Sequence, residues 1–131
     1  MKKCENYCRA VGQLGEAAAA YQHKPQDTLY RDGLIQRFEF SVELAWKSAK
    51  EYLEDQGMTL AVATPRAVLK EAYAAGLIQD EAVWNAILTA RNITSHVYEE
   101  ETAVEIAEKI CGKFLKPLSA LAAFYQEHET A

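Results

Sequence analysis

Apolar side chains recur at steps of three and four along nearly the whole chain, and that periodicity most narrows the folds open to it. In residues 4–21 they fall at Cys4, Tyr7, Val11, Leu14, Ala18 and Tyr21, one face of a helix. A second stripe, in a helix expected from about Leu29 to Gln56, reads Leu34, Phe38, Val42, Ala45, Ala49 and Tyr52, with Ile35 and Trp46 beside it. Val68, Leu69, Ala72 and Tyr73 suit a short third helix. Val83, Trp84, Ile87 and Leu88 suit a fourth. Ala103, Ala107, Ile110, Phe114, Leu118, Leu121 and Tyr125 line a last one that begins near Glu99 or Glu100. No stretch alternates apolar and polar residues as a half-buried strand does.

The punctuation agrees with these stripes. Lys24-Pro25 ends the first helix, because proline disfavours helical geometry in the residue before it. Asp27 or Thr28 can cap the second helix, Thr64-Pro65 opens the third and Asp80 the fourth, while Gly57 and Gly76 suit helix ends. Pro117 falls inside the last helix and is expected to bend it or break one hydrogen bond. Four long amphipathic helices and one short one, joined by short loops, predict an all-α fold: an antiparallel up-and-down four-helix bundle with one additional short helix. With 131 residues and no linker or repeat, residues 1–131 form a single domain. Phe38, Trp46, Trp84 and Phe114 are then expected in its core.

Charge narrows the partners. The formal net charge is −5, and residues 51–131 carry six Lys or Arg against thirteen Asp or Glu. Such a surface disfavours broad, sequence-independent contact with nucleic acid, so any RNA must meet a small local site. No segment is apolar enough to span a membrane, and Met1-Lys2-Lys3-Cys4-Glu5-Asn6 lacks the apolar run of a secretory signal. A cytoplasmic protein with reduced thiols is the expectation for Cys4, Cys8 and Cys111. Cys4 and Cys8 lack companions for a metal site, and no metal or cofactor is implied.

Familiar catalytic signatures are missing: there is no Gly-rich phosphate loop, no His-Glu-x-x-His and no Glu-x-x-His. Chemistry concentrates instead in Arg91-Asn92-Ile93-Thr94-Ser95-His96-Val97-Tyr98. Trp84, Ile87, Leu88, Arg91 and Ser95 follow at helical steps, which puts an arginine on the inward stripe. That is expensive unless the guanidinium is paired or reaches a polar cleft. Asn92 and His96 share the adjacent face, and Tyr98 follows where the helix should end. Guanidinium forks match phosphate oxygens, and imidazole suits proton transfer near neutral pH, so a phosphate and ribose site can be built here. An equally simple account has Arg91 paired with Glu39, since Ile35, Glu39, Val42 and Trp46 also share a face, with His96 and Tyr98 as a helix-end cap.

Arg91-x4-His96-x-Tyr98 resembles the signature of the HEPN superfamily. The run from Arg31-Asp32-Gly33-Leu34-Ile35-Gln36-Arg37-Phe38-Glu39 to Ala45-Trp46-Lys47 is similar to the second helix of its nucleotidyltransferase substrate-binding branch, and Thr64-Pro65-Arg66 and Gly76-Leu77-Ile78 fit it too. The resemblance covers residues 5–125. It implies a homodimer or higher homo-oligomer with the Arg/His helices near the interface, and a separately encoded minimal nucleotidyltransferase as partner. It also implies one of two functions: a non-catalytic subunit that presents substrate to that enzyme, as half of a toxin–antitoxin-like pair, or a metal-independent ribonuclease toxin that the enzyme silences. In the second, Arg91 holds phosphate, His96 activates the ribose 2′-hydroxyl or protonates the leaving oxygen, Asn92 and Ser95 orient the backbone, and Tyr98 is a modification target. The acidic surface and the second helix rank the subunit first, with Glu39, Arg91, Asn92, Ser95, His96 and Tyr98 as its substrate-binding set.

Overall fold

A computed structural model describes residues 1–95 and 99–128. Helix α1 spans Lys2–His23 and α2 spans Thr28–Asp55; the short α3 is Pro65–Ala74 and α4 is Glu81–Thr94. Then α5, Glu100–Lys109, continues through a π-helical segment, Ile110–Phe114, into α6, Leu115–His128. The described residues contain no strand.

The helix ends follow local chemistry. Asp27 accepts hydrogen bonds from the amides of Leu29 and Tyr30 at 2.9 and 3.2 Å, Thr64 from Ala67 at 3.3 Å, and Asp80 from Val83 at 3.1 Å. At the end of α2 the Gly57 amide donates to the Glu54 carbonyl and the Met58 amide to that of Leu53. This closing turn needs a left-handed residue, and Gly57 supplies it with φ +96°. Gly76, φ +85°, ends α3 by the same pair of bonds, from its own amide to Tyr73 and from Leu77 to Ala72.

Pairwise contacts fix the directions. The Lys3 amide meets Glu51, Cys4 meets the Ser48 carbonyl, and Arg37 meets the Gln13 carbonyl, so α1 and α2 run antiparallel. Phe38 stacks on Phe114 and Ser48 meets Tyr125, so α2 and the α5–α6 rod run the same way. Thr94 sits beside Glu39, and Trp84 lies across from Pro117 and Leu121, which makes α4 antiparallel to both. The result is the expected up-down-up-down bundle, with α3 packed on α2 and α4.

The stripes are the core. Phe38, Trp84 and Phe114 are buried, as is every stripe position of α1 and of the last helix. Polar groups inside are matched: the Tyr7 hydroxyl donates to the Leu118 carbonyl at 2.6 Å, and Ser48 and Tyr125 share a 2.9 Å hydrogen bond. Two expectations need correcting. Tyr73 is 44% exposed, because the ten-residue α3 buries only Val68, Leu69 and Ala72. Trp46 is only partly buried, since it flanks the stripe of α2 and lies in the walls of two surface clefts. Just before Pro117 the Leu115 amide reaches back five residues to the Ile110 carbonyl, a widened turn of the π-helical kind. No described helix is long and apolar enough to cross a membrane.

Candidate functional site

Arg91 stands in the last turn of α4, where a cation complements the helix dipole. The α4 stripe buries Trp84, Ile87 and Leu88, and one turn further on it carries the guanidinium to the seam with α2. There Nη1 lies 3.3 Å from Glu39 Oε2 and 3.2 Å from Thr94 Oγ1. Thr94 Oγ1 in turn lies 2.7 Å from Glu39 Oε2 and 2.7 Å from the Arg91 carbonyl. The hydroxyl therefore accepts from the guanidinium and has one proton to share between two acceptors.

The arginine is paired with Glu39, yet its side chain stays 32% exposed and that of Glu39 26%. A pair this accessible leaves the guanidinium able to meet an incoming anion. Its Nε is buried without a hydrogen-bond partner, and the same holds for Trp46 Nε1, the other such nitrogen among the described residues. An unmet buried donor costs about 1–3 kcal/mol, so each asks for an explanation.

The Glu39–Thr94–Arg91 cluster separates two clefts. On one side Glu39 and Thr94 line an open cleft of about 840 Å³ between the first half of α2 and the start of α5. Its rim is mainly acidic, with Asp32, Glu99 and Glu100, and Arg31 lies 3.4 Å from both Asp32 and Glu100. On the other side Arg91, Asn92 and Ser95 line a cleft of about 380 Å³ with Trp46, Pro65 and Arg66. Of the two, this second cleft is the cationic one.

Of the six residues singled out from the sequence, the structure thus brings Glu39 and Arg91 into contact and sets Asn92 and Ser95 beside them. Ser95 is not inward as expected: α4 ends at Thr94, and Ser95 is exposed, with its hydroxyl on the Asn92 carbonyl at 3.3 Å. His96 and Tyr98 lie outside the described residues. Thr94 is a site residue that the sequence reading misses, although its position three residues after Arg91 places it on the same face. Arg66 is legible in the sequence only as part of Thr64-Pro65-Arg66. Among the described residues no three His, Cys, Asp or Glu side chains gather as metal ligands would.

The chain resembles known proteins in both sequence and fold. A Haemophilus influenzae protein named probable ribonuclease HepT is 39% identical over 88 residues, which span 65% of this chain and 60% of that protein's length. A solved Haemophilus influenzae structure, described as revealing the fold of a substrate binding domain of a nucleotidyltransferase, superposes with a TM-score of 0.83 at 28% identity, over 94% of this chain and 98% of that one. A Thermus thermophilus crystal structure matches with a TM-score of 0.69 at 28% identity, over 91% and 94% of the two chains. Residues 2–127 match a family profile, and the chain belongs to the family described as nucleotidyltransferase substrate binding protein like.

Proposed function

We propose that this chain is the substrate-holding subunit of a two-protein nucleotidyltransferase, a homo-oligomeric helical bundle that binds a separately encoded minimal nucleotidyltransferase. The observation that carries the reading is an arginine clamped by Glu39 and Thr94 yet one-third open, at the junction of two clefts. The clamp fixes the guanidinium at low cost in side-chain entropy, and the opening lets it take an anionic group. Asn92 and Ser95 offer an amide and a hydroxyl on the same rim. His96 and Tyr98 follow in sequence as the imidazole and phenol of the site. The family's description supports the choice of partner. Co-expression with the nucleotidyltransferase of the same genome, followed by size-exclusion chromatography, is expected to give one co-eluting peak. Two separate peaks would reject the reading.

A second reading, a metal-independent ribonuclease toxin held in check by the nucleotidyltransferase, is favoured by the relative named probable ribonuclease HepT and by the intact Arg91-x4-His96-x-Tyr98. Arg91 then holds the scissile phosphate and His96 moves the proton at the 2′-hydroxyl. Expression of the chain alone should arrest growth and cleave RNA, and His96→Ala should abolish both. Equal growth of the two strains with intact RNA excludes it.

A further inference from the structure

We propose that Thr94 is a positioning residue for Arg91: its hydroxyl keeps hold of Glu39 when the guanidinium turns to an incoming anion, and so leaves the arginine available. The inference rests on Arg91 meeting an anionic group, as in the reading above, and names the residue that governs that step. Glu39 and an arriving anion compete for one cation. How strongly Glu39 competes depends on what else satisfies its charge.

The distances decide which partner holds the carboxylate. Thr94 Oγ1 lies 2.7 Å from Glu39 Oε2, the length of a full-strength bond from a hydroxyl to a carboxylate. Arg91 Nη1 lies 3.3 Å from the same oxygen, beyond the roughly 2.7–2.9 Å of a strong guanidinium–carboxylate bond. The ion pair is also single rather than forked. Among the described residues Nη1 is the one guanidinium nitrogen with hydrogen-bond partners, Glu39 and Thr94, while Nε is buried with none. A fork that leaves most of its donors unspent at rest is loosely held. The tight bond to Glu39 belongs to the hydroxyl.

The place of Thr94 makes the exchange cheap. It is the last residue of α4, three after Arg91, so both side chains leave the same face. Its hydroxyl also lies 2.7 Å from the Arg91 carbonyl, one of those that a helix end leaves without an intrahelical amide. The carboxylate, being charged, is the stronger of the two acceptors, and the carbonyl stands in reserve. The hydroxyl therefore has an acceptor whichever way the guanidinium turns. The clefts divide accordingly: Glu39 and Thr94 line the acidic one, and Arg91 lines the cationic one. Without the hydroxyl, the guanidinium is the one donor left to Glu39 Oε2 among the described residues. The ion pair then tightens, and an anion wins the arginine less often.

The test titrates the full chain with inorganic phosphate and follows the Arg91 guanidinium signals by nitrogen-15 NMR. Wild type should show a saturable shift. Thr94→Val, which keeps the shape and removes the hydroxyl, should weaken phosphate by about tenfold, the worth of one hydrogen bond to a charged group. Thr94→Ser should bind within about twofold of wild type. The decisive variant is Thr94→Val with Glu39→Gln: once the carboxylate is gone nothing sequesters the arginine, so binding should return to the wild-type level or better. A Thr94 that only finishes α4 would show no such rescue. The series needs no nucleotidyltransferase, so its failure is distinct from a failure of the two proteins to co-elute. No shift of the Arg91 signals, a Thr94→Val chain that binds like wild type, a Thr94→Ser chain as weak as Thr94→Val, or a double variant that stays weak would each overturn the proposal.

Discussion

Arg91→Ala separates a working arginine from a merely structural one, and the size of its effect follows from the geometry. At 3.3 Å and an effective dielectric constant near 20, the Arg91–Glu39 attraction is at most about 5 kcal/mol before desolvation and side-chain ordering are subtracted. Exposed pairs retain roughly 0.2–1 kcal/mol after those subtractions, whereas removing one member of a buried pair costs about 3–5 kcal/mol. With side chains 32% and 26% exposed, this pair belongs nearer the exposed class. We expect Arg91→Ala to lower stability by about 1–2 kcal/mol, with a coupling to Glu39→Ala of about 1 kcal/mol in a double-mutant cycle. Unfolding entropy near 2.1 cal/mol/K per residue gives about 0.28 kcal/mol/K for 131 residues, so the melting temperature should fall by about 4–7 °C. A structural, sealed pair would instead shift it by about 11–18 °C on the same arithmetic. The assay is thermal and urea unfolding of the wild type, both single variants and the double variant, at one protein concentration because the chain is proposed to self-associate. Nucleotidyltransferase co-elution and growth arrest are read in parallel. A loss above about 3 kcal/mol in both single variants, recovered as coupling in the double, with those functional readouts intact, would reduce Arg91 to scaffold.

Four further outcomes follow from the packing. Phe38→Ala removes a fully buried ring stacked 5.7 Å from Phe114 and should cost about 3–5 kcal/mol in urea unfolding. Gly57→Ala meets no neighbouring atom but forces alanine to φ +96°, so a loss of about 1 kcal/mol with unchanged helix content is expected by circular dichroism. Burial, with Tyr125 and Cys8 adding to it, holds the Tyr7 phenol well above its usual value of 10.0. The stability this confers is complete below pH 10 and is lost as pH rises toward the folded value, so Tyr7→Phe should flatten the alkaline limb of a stability–pH curve while costing about 1 kcal/mol at pH 7 for its hydrogen bond. Pro117→Ala should keep the Leu115-to-Ile110 hydrogen bond, read as a through-bond NMR coupling, and change stability by less than about 1 kcal/mol.

Why so much of the bundle is legible in the sequence, and the rest not, comes down to what each residue answers to. Leu14, Leu34, Phe38, Trp84 and Leu118 answer to one demand, removal from water on one side of a helix, and their spacing states it. Asp27, Thr64, Gly57 and Asp80 answer to backbone groups a few residues away, which the local sequence also contains. Trp46 and Tyr73 sit at the margins of their stripes, where exposure depends on how far a neighbouring helix extends, and spacing is silent on that. In the site, the Glu39–Arg91 contact is open to inference because each residue has an inward face. Thr94 is harder, because a threonine in the last turn of a helix ordinarily bonds its own backbone; here it does so and also bridges the pair.

Arg66 and the π-helical turn mark the two kinds of information that periodicity carries without displaying. Arg66 is exposed and belongs to no stripe; its meaning depends on facing Arg91 across a cleft that exists only once α3 has packed against α2 and α4. The π segment is written in the stripe itself. Ile110, Phe114 and Leu118 are consecutive steps of four, and eight residues of ideal α-helix turn through about 800°, roughly 80° beyond two full turns. All three side chains are nonetheless buried against the same core. A wider turn between Ile110 and Phe114 absorbs the surplus rotation, and the missing amide of Pro117 lowers what a regular helix would gain there. The irregularity therefore answers first to the core and only second to the proline. The same widened turn keeps the C-terminal stripe in phase with the N-terminal one, so that α5 walls the acidic cleft beside Glu39 while α6 still seals Tyr7 and Ser48 at the other end of the bundle.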